Sequence, residues 1–237
     1  MSKKGQNKKS KALSAPKTMF IQRKTKYWAI RAKAGPHKRD SAVPLGIVIR
    51  DYLGLAKNLK EAKYMMNNDL IKVNGVARRD YQFPVGIFDT VDIEAQKVHN
   101  RMVLDNRGRL VLKALKKASA QKICKVAYKH VTAKGIQLTT NDGRIFLGTK
   151  AKVGDGLLVK LPEGNVEKVL PLKEGAMIYI TRGVHCSEKA KVKGFVEGTM
   201  SREKLVKFES KGKEYETIAE SAMVIGEGSE AIEDMKE

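Results

Sequence analysis

The sequence lacks any apolar run long enough to cross a membrane. Its longest apolar patch, Val43 to Ile49, is interrupted by Pro44 and Gly46, whereas a spanning helix needs about 20 apolar residues. No apolar stretch of signal-peptide length follows the basic N-terminus. We therefore expect a cytoplasmic chain with no membrane partner, whose two cysteines, Cys124 and Cys186, stay reduced.

Patterns that carry catalytic or metal chemistry are missing as well. The four histidines are scattered and no pairs of Cys or His stand at ligand spacing, so the common zinc patterns are excluded. There is no phosphate-binding loop, dinucleotide fingerprint or Gly-x-Ser-x-Gly elbow. Asp105, Asp142 and Asp155 lie beside glycines in predicted turns, where aspartate is favoured for local hydrogen bonding. We expect no metal, no cofactor, no small-molecule substrate and no enzymatic activity.

Acidic residues are scarce relative to basic ones. The chain of 237 residues has 47 Lys or Arg against 26 Asp or Glu, a formal charge of +21. Residues 1–41 carry net +12, residues 42–196 net +14, and residues 197–237 net −5. This excess and its uneven distribution indicate a polyanionic partner such as a nucleic acid.

The first 41 residues form a basic segment with few aliphatic side chains. Pro16 and Pro36 interrupt it, and no hydrophobic period is sustained. Because it buries little apolar area, we expect it to be mobile until bound. Tyr27 and Trp28 stand among cations, and two roles stay open for them: anchoring the segment on the protein core, or stacking on exposed bases.

A helical pattern follows from Ser41, a plausible N-cap, and predicts a helix to about Leu53. Asn58 with Glu61 three residues later predicts the start of a second helix that ends near Asn67. Leu59, Ala62 and Met66 share one face of this second helix, and the other face carries Lys60, Lys63, Tyr64 and Asn67. A strand over Leu70 to Val73, an Asn74-Gly75 turn, the pair Arg78-Arg79 and a further strand ending at Ile93 are predicted next.

Beyond residue 98 the sequence is typical of short strands separated by glycine turns, which favours small barrels or sandwiches. Leu112 to Lys122 is expected to form one helix among them.

The strongest functional signal is the group Lys57, Lys60, Lys63, Arg78 and Arg79, which lie close together in sequence without matching acids. A single lysine on a helix is usually just solvated. A clustered array can engage the phosphates of RNA, with counterion release as the driving force.

Residues 43–93, from "PLGIVIRDYLGL" to "FPVGIFDTVDI", resemble the alpha-L motif, the RNA-binding fold named after bacterial ribosomal protein S4. The segments "APKTM", "GPHK", "RRDYQFPVGIFD", "QLTTNDGR" and "VIGE" together resemble the archaeal and eukaryotic small-subunit ribosomal protein S4e family.

The resemblance implies an α+β, multidomain protein with five parts: a basic N-terminal extension (1–41), an alpha-L RNA-binding domain (42–97), a predominantly β central domain (98–172), an SH3-like KOW barrel (173–226) and an acidic C-terminal tail (227–237). It implies a ribosome-bound structural constituent of the small subunit. Its partners would be small-subunit ribosomal RNA and neighbouring small-subunit ribosomal proteins. The chain departs from the family at Ser187 and at Arg182-Gly183, where glycines are usual, and at Lys60 and Lys63, where arginine is usual.

The candidate RNA contacts are basic and aromatic residues of the N-terminal extension, the alpha-L segment and the KOW segment. They are Lys3, Lys4, Lys8, Lys9, Lys11, Lys17, Arg23, Lys24, Lys26, Trp28, Arg31, His37, Lys38, Arg39, Arg50, Lys57, Lys60, Lys63, Tyr64, Arg78, Arg79, Tyr81, Arg182, Lys189 and Lys191.

Two other functions compete. An RNA-modifying enzyme such as a pseudouridine synthase can also carry an alpha-L domain, but it needs a catalytic carboxylate in a large pocketed domain, which the short strands here do not indicate. A KOW transcription factor would leave the basic extension and the alpha-L segment unexplained.

Overall fold

The computed structural model describes residues 9–133, 135–210, 212–229 and 231–232, and the chain divides into two compact units. Unit one comprises Met1–Val103 and Arg109–Ala118, and unit two comprises Leu104–Gly108 and Ser119–Glu237. Strands predominate and helices are few in the described ranges, so the protein is multidomain and mostly β. None of the helices described is long and apolar enough to span a membrane.

Unit one contains short strands around a pair of helical segments. The strands are β1 (Lys9–Lys11), β2 (Trp28–Ile30), β3 (Ala42–Pro44), β4 (Lys72–Val73), β5 (Val76–Ala77), β6 (Pro84–Gly86), β7 (Thr90–Ile93), β8 (Val98–Leu104) and β9 (Leu110–Leu115); the helices are α1 (Leu45–Ile47), continued by a π-helical turn over Val48–Tyr52, and α2 (Leu59–Asn67). Strands β1 and β2 pair, β3 pairs with β6, and a five-stranded sheet has the order β5-β4-β7-β8-β9.

The described part of the basic N-terminal segment is packed against unit one. Lys11 lies opposite Trp28 in the antiparallel β1–β2 pair, and small or flexible apolar residues of the segment are buried, among them Ala12, Ala15, Met19, Ala29 and Ile30. Arg23 donates hydrogen bonds to four carbonyls of residues 12–16. The expectation of a mobile segment is therefore wrong for residues 9–41. Its apolar residues are few and follow no helix or strand period, but they are buried in the fold.

The two predicted helices are present, and only the first has a shifted start. The first begins at Leu45 rather than at Ser41, since residues 42–44 pair as β3 with β6. Leu45, Ile47, Val48 and Ile49 are fully buried. Helix α2 begins after Asn58, and the Glu61 carboxylate accepts hydrogen bonds from the backbone N–H groups of Lys57 and Asn58 at 2.7 and 3.4 Å, which satisfies free donors at the helix start.

Gly46 allows the first helix to approach the segment that carries the predicted basic turn. Its N–H donates to the Tyr81 carbonyl at 2.9 Å. A Cβ at Gly46 would lie 3.1 Å from that carbonyl oxygen and 3.3 Å from Leu59 of α2. A side chain here would push these elements apart, so the glycine fixes where residues 78–83 lie.

The described residues of unit two form ten strands in two sheets. The strands are β10 (Gln121–Thr132), β11 (Gly135–Thr140), β12 (Ile145–Leu147), β13 (Gly156–Lys160), β14 (Val166–Leu170), β15 (Ala176–Ile180), β16 (Lys189–Val196), β17 (Leu205–Ser210), β18 (Lys213–Ile218) and β19 (Ala222–Glu227). The first sheet has the order β12-β11-β10-β13-β14 and the second β18-β17-β16-β15-β19, all antiparallel.

Each sheet of unit two has its own apolar core. Cys124, Val126, Leu138, Leu157 and Val159 form one cluster. The other is larger and includes Ile178, Val192, Phe208 and Val224. Cys124 and Cys186 are both buried free thiols, as expected.

The helix expected over Leu112 to Lys122 is wrong. Residues 110–115 form β9, beside β8 in the sheet of unit one, and β10 begins at Gln121. The apolar residues of this stretch fit both periods, and pairing with a strand formed earlier in the chain decides between them.

Candidate nucleic-acid interface

Helix α2 presents a basic face because its opposite side is anchored in the core of unit one. Ala62 and Met66 are fully buried, as the periodicity predicts. On the outer side Lys60, Lys63 and Tyr64 are exposed. No ion pair among the described residues involves Lys60 or Lys63, so both ammonium groups are available to an anionic partner.

The segment 78–83 lies beside this face. The Lys63 ammonium is 4.3 Å from the centroid of the Tyr81 ring, and the Arg78 guanidinium is 4.7 Å from that of Phe83. The Arg78 N–H donates to the Ile71 carbonyl at 3.2 Å. Such cation–π contacts hold the charged groups in place without neutralising them. Helix α2 and residues 78–81 therefore form one surface, which we call the basic face: Lys57, Lys60, Lys63, Tyr64, Arg78, Arg79 and Tyr81.

The basic face does contain an acid, contrary to the expectation from sequence. The Arg79 guanidinium donates to both carboxylate oxygens of Asp69, at 2.8 and 2.5 Å, and these hydrogen bonds lower the pKa of Asp69. Asp69 follows the C-cap residue Asn68 of α2 and adopts a left-handed backbone conformation, with φ of 54°. A phosphate can accept both of these Arg79 hydrogen bonds only if it displaces Asp69. Lys60 and Lys63 have no such competing acid.

Arg50 and Lys26 are also partly occupied. Arg50 donates two hydrogen bonds to Asp51, at 2.8 and 2.6 Å, and Lys26 lies 3.5 Å from the same carboxylate. The side chain of Arg50 is only 14% exposed, so most of its charge is satisfied within the protein.

His37 lies in the interior and not at the surface. Its Nε2 is 2.8 Å from Asp89 Oδ2, which also accepts the Gly86 N–H at 2.7 Å, and the His37 side chain is 4% exposed. A Cβ at Gly86 would fall 2.4 Å from the imidazole ring. His37 is thus a packing residue, and we leave it out of the proposed interface.

Tyr27 and Trp28 are exposed, which contradicts their role as core anchors. The exposed fractions are 64% and 52%. The two rings meet edge to face at 5.0 Å, and the Lys11 ammonium lies 5.6 Å from the Tyr27 centroid. Ala29 and Ile30 anchor the strand instead. Base stacking by the two rings stays a prediction.

The other candidates fall into three groups. Lys9, Lys11, Lys17, Lys24, Lys38 and Arg39 are exposed in unit one, where Arg31 is half-buried and Arg23 is bonded to backbone carbonyls. Arg182 and Lys191 are exposed and Lys189 is half-buried in unit two. Lys3, Lys4 and Lys8 lie outside the described residues.

Arg109 is a half-buried basic residue beside the N-terminal segment that the sequence did not single out. Its guanidinium lies 4.6 Å from the Phe20 centroid, at a pocket of about 530 Å³ that Lys17 and Arg23 also line. The Phe20 N–H donates to the Tyr52 hydroxyl at 2.8 Å, and burial raises the pKa of Tyr52 to about 12. Nothing local in the sequence could have linked Arg109 to the N-terminal segment, since a parallel bridge between Met19 and Leu110 brings them together.

Two family models match this chain. Residues 96–166 match the ribosomal family S4e, and residues 4–40 match the RS4NT domain. Similar proteins include the small ribosomal subunit protein eS4 of Nanoarchaeum equitans, 35% identical over 226 residues, with 93% of this chain and 96% of the relative covered. That of Methanosphaera stadtmanae is 36% identical over 236 residues, with 98% of each chain covered.

The fold is similar too. The crystal structure of the 30S ribosomal protein S4e from Thermoplasma acidophilum superposes with a TM-score of 0.67 at 32% identity, covering 79% of this chain and 96% of that one. Identity above 30% over nearly the full length of both chains, in agreement with the family models, shows that this chain belongs to the ribosomal S4e family.

Proposed function

We propose that this chain is a structural constituent of the small ribosomal subunit and binds ribosomal RNA without catalysing a reaction. The observation that carries the proposal is the basic face, which gathers five cations; of the three acids nearby, Glu61 bonds the backbone at the start of α2, Asp69 pairs with Arg79 and Asp80 pairs with Lys33. Phosphates along folded RNA can engage such an array through charge neutralisation and counterion release. Its partners are then small-subunit ribosomal RNA and neighbouring ribosomal proteins, and its location is the ribosome in the cytoplasm.

The domain map from sequence belongs to this proposal. Residues 42–97 would be the alpha-L domain, with its helical pair and the strands β4 to β7. Residues 98–172 would be the central domain, whose first strands, β8 and β9, extend the sheet of β7 in unit one. Residues 173–226 would be the KOW barrel, in which β15 pairs with both β16 and β19. The extension 1–41 and the tail 227–237 complete it.

The departure at Ser187 fits the KOW assignment. Ser187 adopts φ of 73°, a left-handed backbone conformation that glycine adopts readily. Its N–H donates to the Ile180 carbonyl at 2.9 Å, and its hydroxyl lies 3.4 Å from that of Tyr179. The backbone that the family makes with glycine is thus available to this serine, with a hydrogen bond to offset part of the strain.

Two aspartates that lie beside glycine turns, Asp142 and Asp155, have structural roles. Asp155 accepts the N–H groups of Lys152 and Leu172 at 2.7 and 2.9 Å. Asp142 accepts hydrogen bonds from Thr140, Lys122 and Cys124. Both carboxylates are buried among these donors, which supports an architectural role over that of an RNA-modifying enzyme.

Sedimentation of a cell extract through sucrose gradients tests the proposal. We expect the chain to travel with the small subunit at low salt and to be released progressively as salt rises, because the contacts are mainly ionic. Recovery of the chain at the top of the gradient at every salt concentration would contradict the proposal. So would turnover of any nucleoside by the purified protein.

A further inference from the structure

The hairpin formed by β10 and β11 extends past the end of β13, the strand on the other side of β10 in the sheet. Strand β10 has twelve residues, but β13 pairs with residues 121–125 alone, while residues 126–132 pair with β11. Every residue from Tyr128 to Ala133 is exposed, and Val131 is exposed on the side opposite to Tyr128. The end of the hairpin is therefore uncovered on both faces.

The strand register collects six side chains on the outer face of β10, β11 and β12. Tyr128 lies opposite Thr139, which lies opposite Ile145; in the next row His130 lies opposite Gln137, which lies opposite Leu147. Alternate residues of a strand share a face, so both rows point the same way. We call them the outer face: Tyr128, His130, Gln137, Thr139, Ile145 and Leu147.

On the opposite side, the core covers these strands at Leu138 and Phe146 but leaves Lys129 and Val131 exposed. Leu138 is fully buried in the apolar cluster of this sheet, and Phe146 packs against that cluster. The outer face is open, with Tyr128 61%, Ile145 58% and Leu147 58% exposed. Within the described residues, the Tyr128 and His130 side chains make no hydrogen bond and no ring contact. A contiguous exposed patch that contains large apolar side chains, as this one does, marks a surface that a partner covers.

Charge indicates the kind of partner. Residues 121–160 contain eight Lys or Arg and only two acids, Asp142 and Asp155, and both acids are buried. Lys122 and Lys125 are used internally, with Asp142 and with backbone carbonyls of residues 219–222. The exposed cations of this stretch, Lys129, Lys150, Lys152 and Lys160, form no ion pair within the described residues, so this part of unit two carries uncompensated positive charge.

We infer that the outer face is a second RNA contact that takes unpaired bases of a loop or bulge. The inference rests on the proposed function, since it adds a surface on unit two to the basic face on unit one. The flat rings of Tyr128 and His130 offer stacking platforms, and Gln137 and Thr139 offer hydrogen-bonding groups toward base edges. Ile145 and Leu147 would pack against sugars, and the exposed lysines of residues 121–160 would neutralise phosphates. An acidic protein segment would use the lysines but would leave the exposed rings without a specific role.

Substitution of Tyr128 in the full chain tests this surface, with small-subunit ribosomal RNA and a uridine dodecamer as separate probes. We expect Tyr128→Ala to weaken binding of both RNAs by about tenfold, because the substitution removes the stacking of one base on the ring. The slope of affinity against salt should stay unchanged because tyrosine carries no charge. The urea midpoint should also stay unchanged because the side chain is exposed. Tyr128→Phe should bind like the wild type, and Met200→Ala, at a fully exposed residue of the β16–β17 loop, is the matched control.

The outcomes separate this inference from the function on which it rests. Failure of the wild-type chain to bind ribosomal RNA would overturn the proposed function, and the inference with it. If the wild type binds and substitution of Lys60 and Lys63 weakens binding, but Tyr128→Ala keeps wild-type affinity, the inference alone is wrong. Loss of subunit association by Tyr128→Ala with full affinity for naked RNA would also overturn it, and would assign the outer face to a protein partner.

Discussion

Lys122 and Lys60 carry the same charge in opposite surroundings. Lys122 is 2% exposed and lies 3.0 Å from Asp142, so its charge is used to hold one sheet of unit two together. Lys60 stands on the outside of α2 with no ion pair among the described residues. The sequence predicted the exposure of Lys60 from helical periodicity. The sequence could not predict the burial of Lys122, because its partner Asp142 lies 20 residues further along the chain and only the fold brings the two together.

Replacing Asp142 should be the most damaging single change of charge in unit two. Asp142→Asn leaves the Lys122 ammonium buried without a counter-charge, which costs about 3–5 kcal/mol. Urea unfolding followed by far-UV circular dichroism measures this cost. Asp69→Asn, which removes an exposed partner of Arg79, is the control and should shift the midpoint little. An equal effect of the two substitutions would show that the buried pair has no special role.

The same carboxylate should make stability sensitive to acid. Burial by itself raises the pKa of Asp142, but the charge of Lys122 and the hydrogen bonds from Thr140, Lys122 and Cys124 outweigh burial and lower that pKa to about 2. A group whose pKa is lower in the folded state stabilises the protein above its unfolded pKa, 3.8, and loses this contribution as pH falls toward 2. The urea midpoint should therefore fall between pH 4 and pH 2, and Asp142→Asn should show a smaller fall in that range. An identical fall in both proteins would contradict this assignment.

At the scale of elements, helix α2 was predictable because its signals are local. The Asn58 and Glu61 cap, the buried stripe and the basic stripe all lie within ten residues. Strand β9, the packed N-terminal segment and the outer face of β10–β12 were not predicted, because each depends on pairing between distant residues. Helical periodicity can identify a face, but it cannot show which segment lies next to it.

The two sides of α2 should respond differently to substitution. Lys60→Ala with Lys63→Ala should leave the urea midpoint unchanged or slightly raised, because both side chains are exposed and alanine is the better helix former. Met66→Asp should unfold unit one, because it places an unpaired charge at a fully buried position. Circular dichroism and urea titration of the two variants decide the matter. If Met66→Asp folds normally, then α2 does not pack as described.

At the scale of the whole molecule, the N-terminal segment combines a structural role with charge. Deleting residues 1–41 removes net +12 and also the buried side chains of Met19, Ala29 and Ile30. We therefore expect the truncated chain to lose stability as well as RNA affinity. A shorter deletion of residues 1–8, which removes the three cations Lys3, Lys4 and Lys8, is the comparison that separates charge from packing. Unchanged unfolding of the longer deletion would show that residues 9–41 add nothing to the fold.

The central claim is that the basic face binds ribosomal RNA, and affinity of a quadruple variant tests it most directly. Lys60, Lys63, Arg78 and Arg79 are all changed to Ala, and Lys168, Lys173, Arg202 and Lys213, exposed cations of unit two, are changed to Ala in a control of equal charge. Binding to small-subunit ribosomal RNA is measured across a range of salt concentrations. We expect the first variant to bind far more weakly than the control. The slope of its log affinity against log salt concentration should be shallower, by an amount that corresponds to about four lost phosphate contacts. Wild-type affinity in the first variant, or equal losses in both, would contradict the claim.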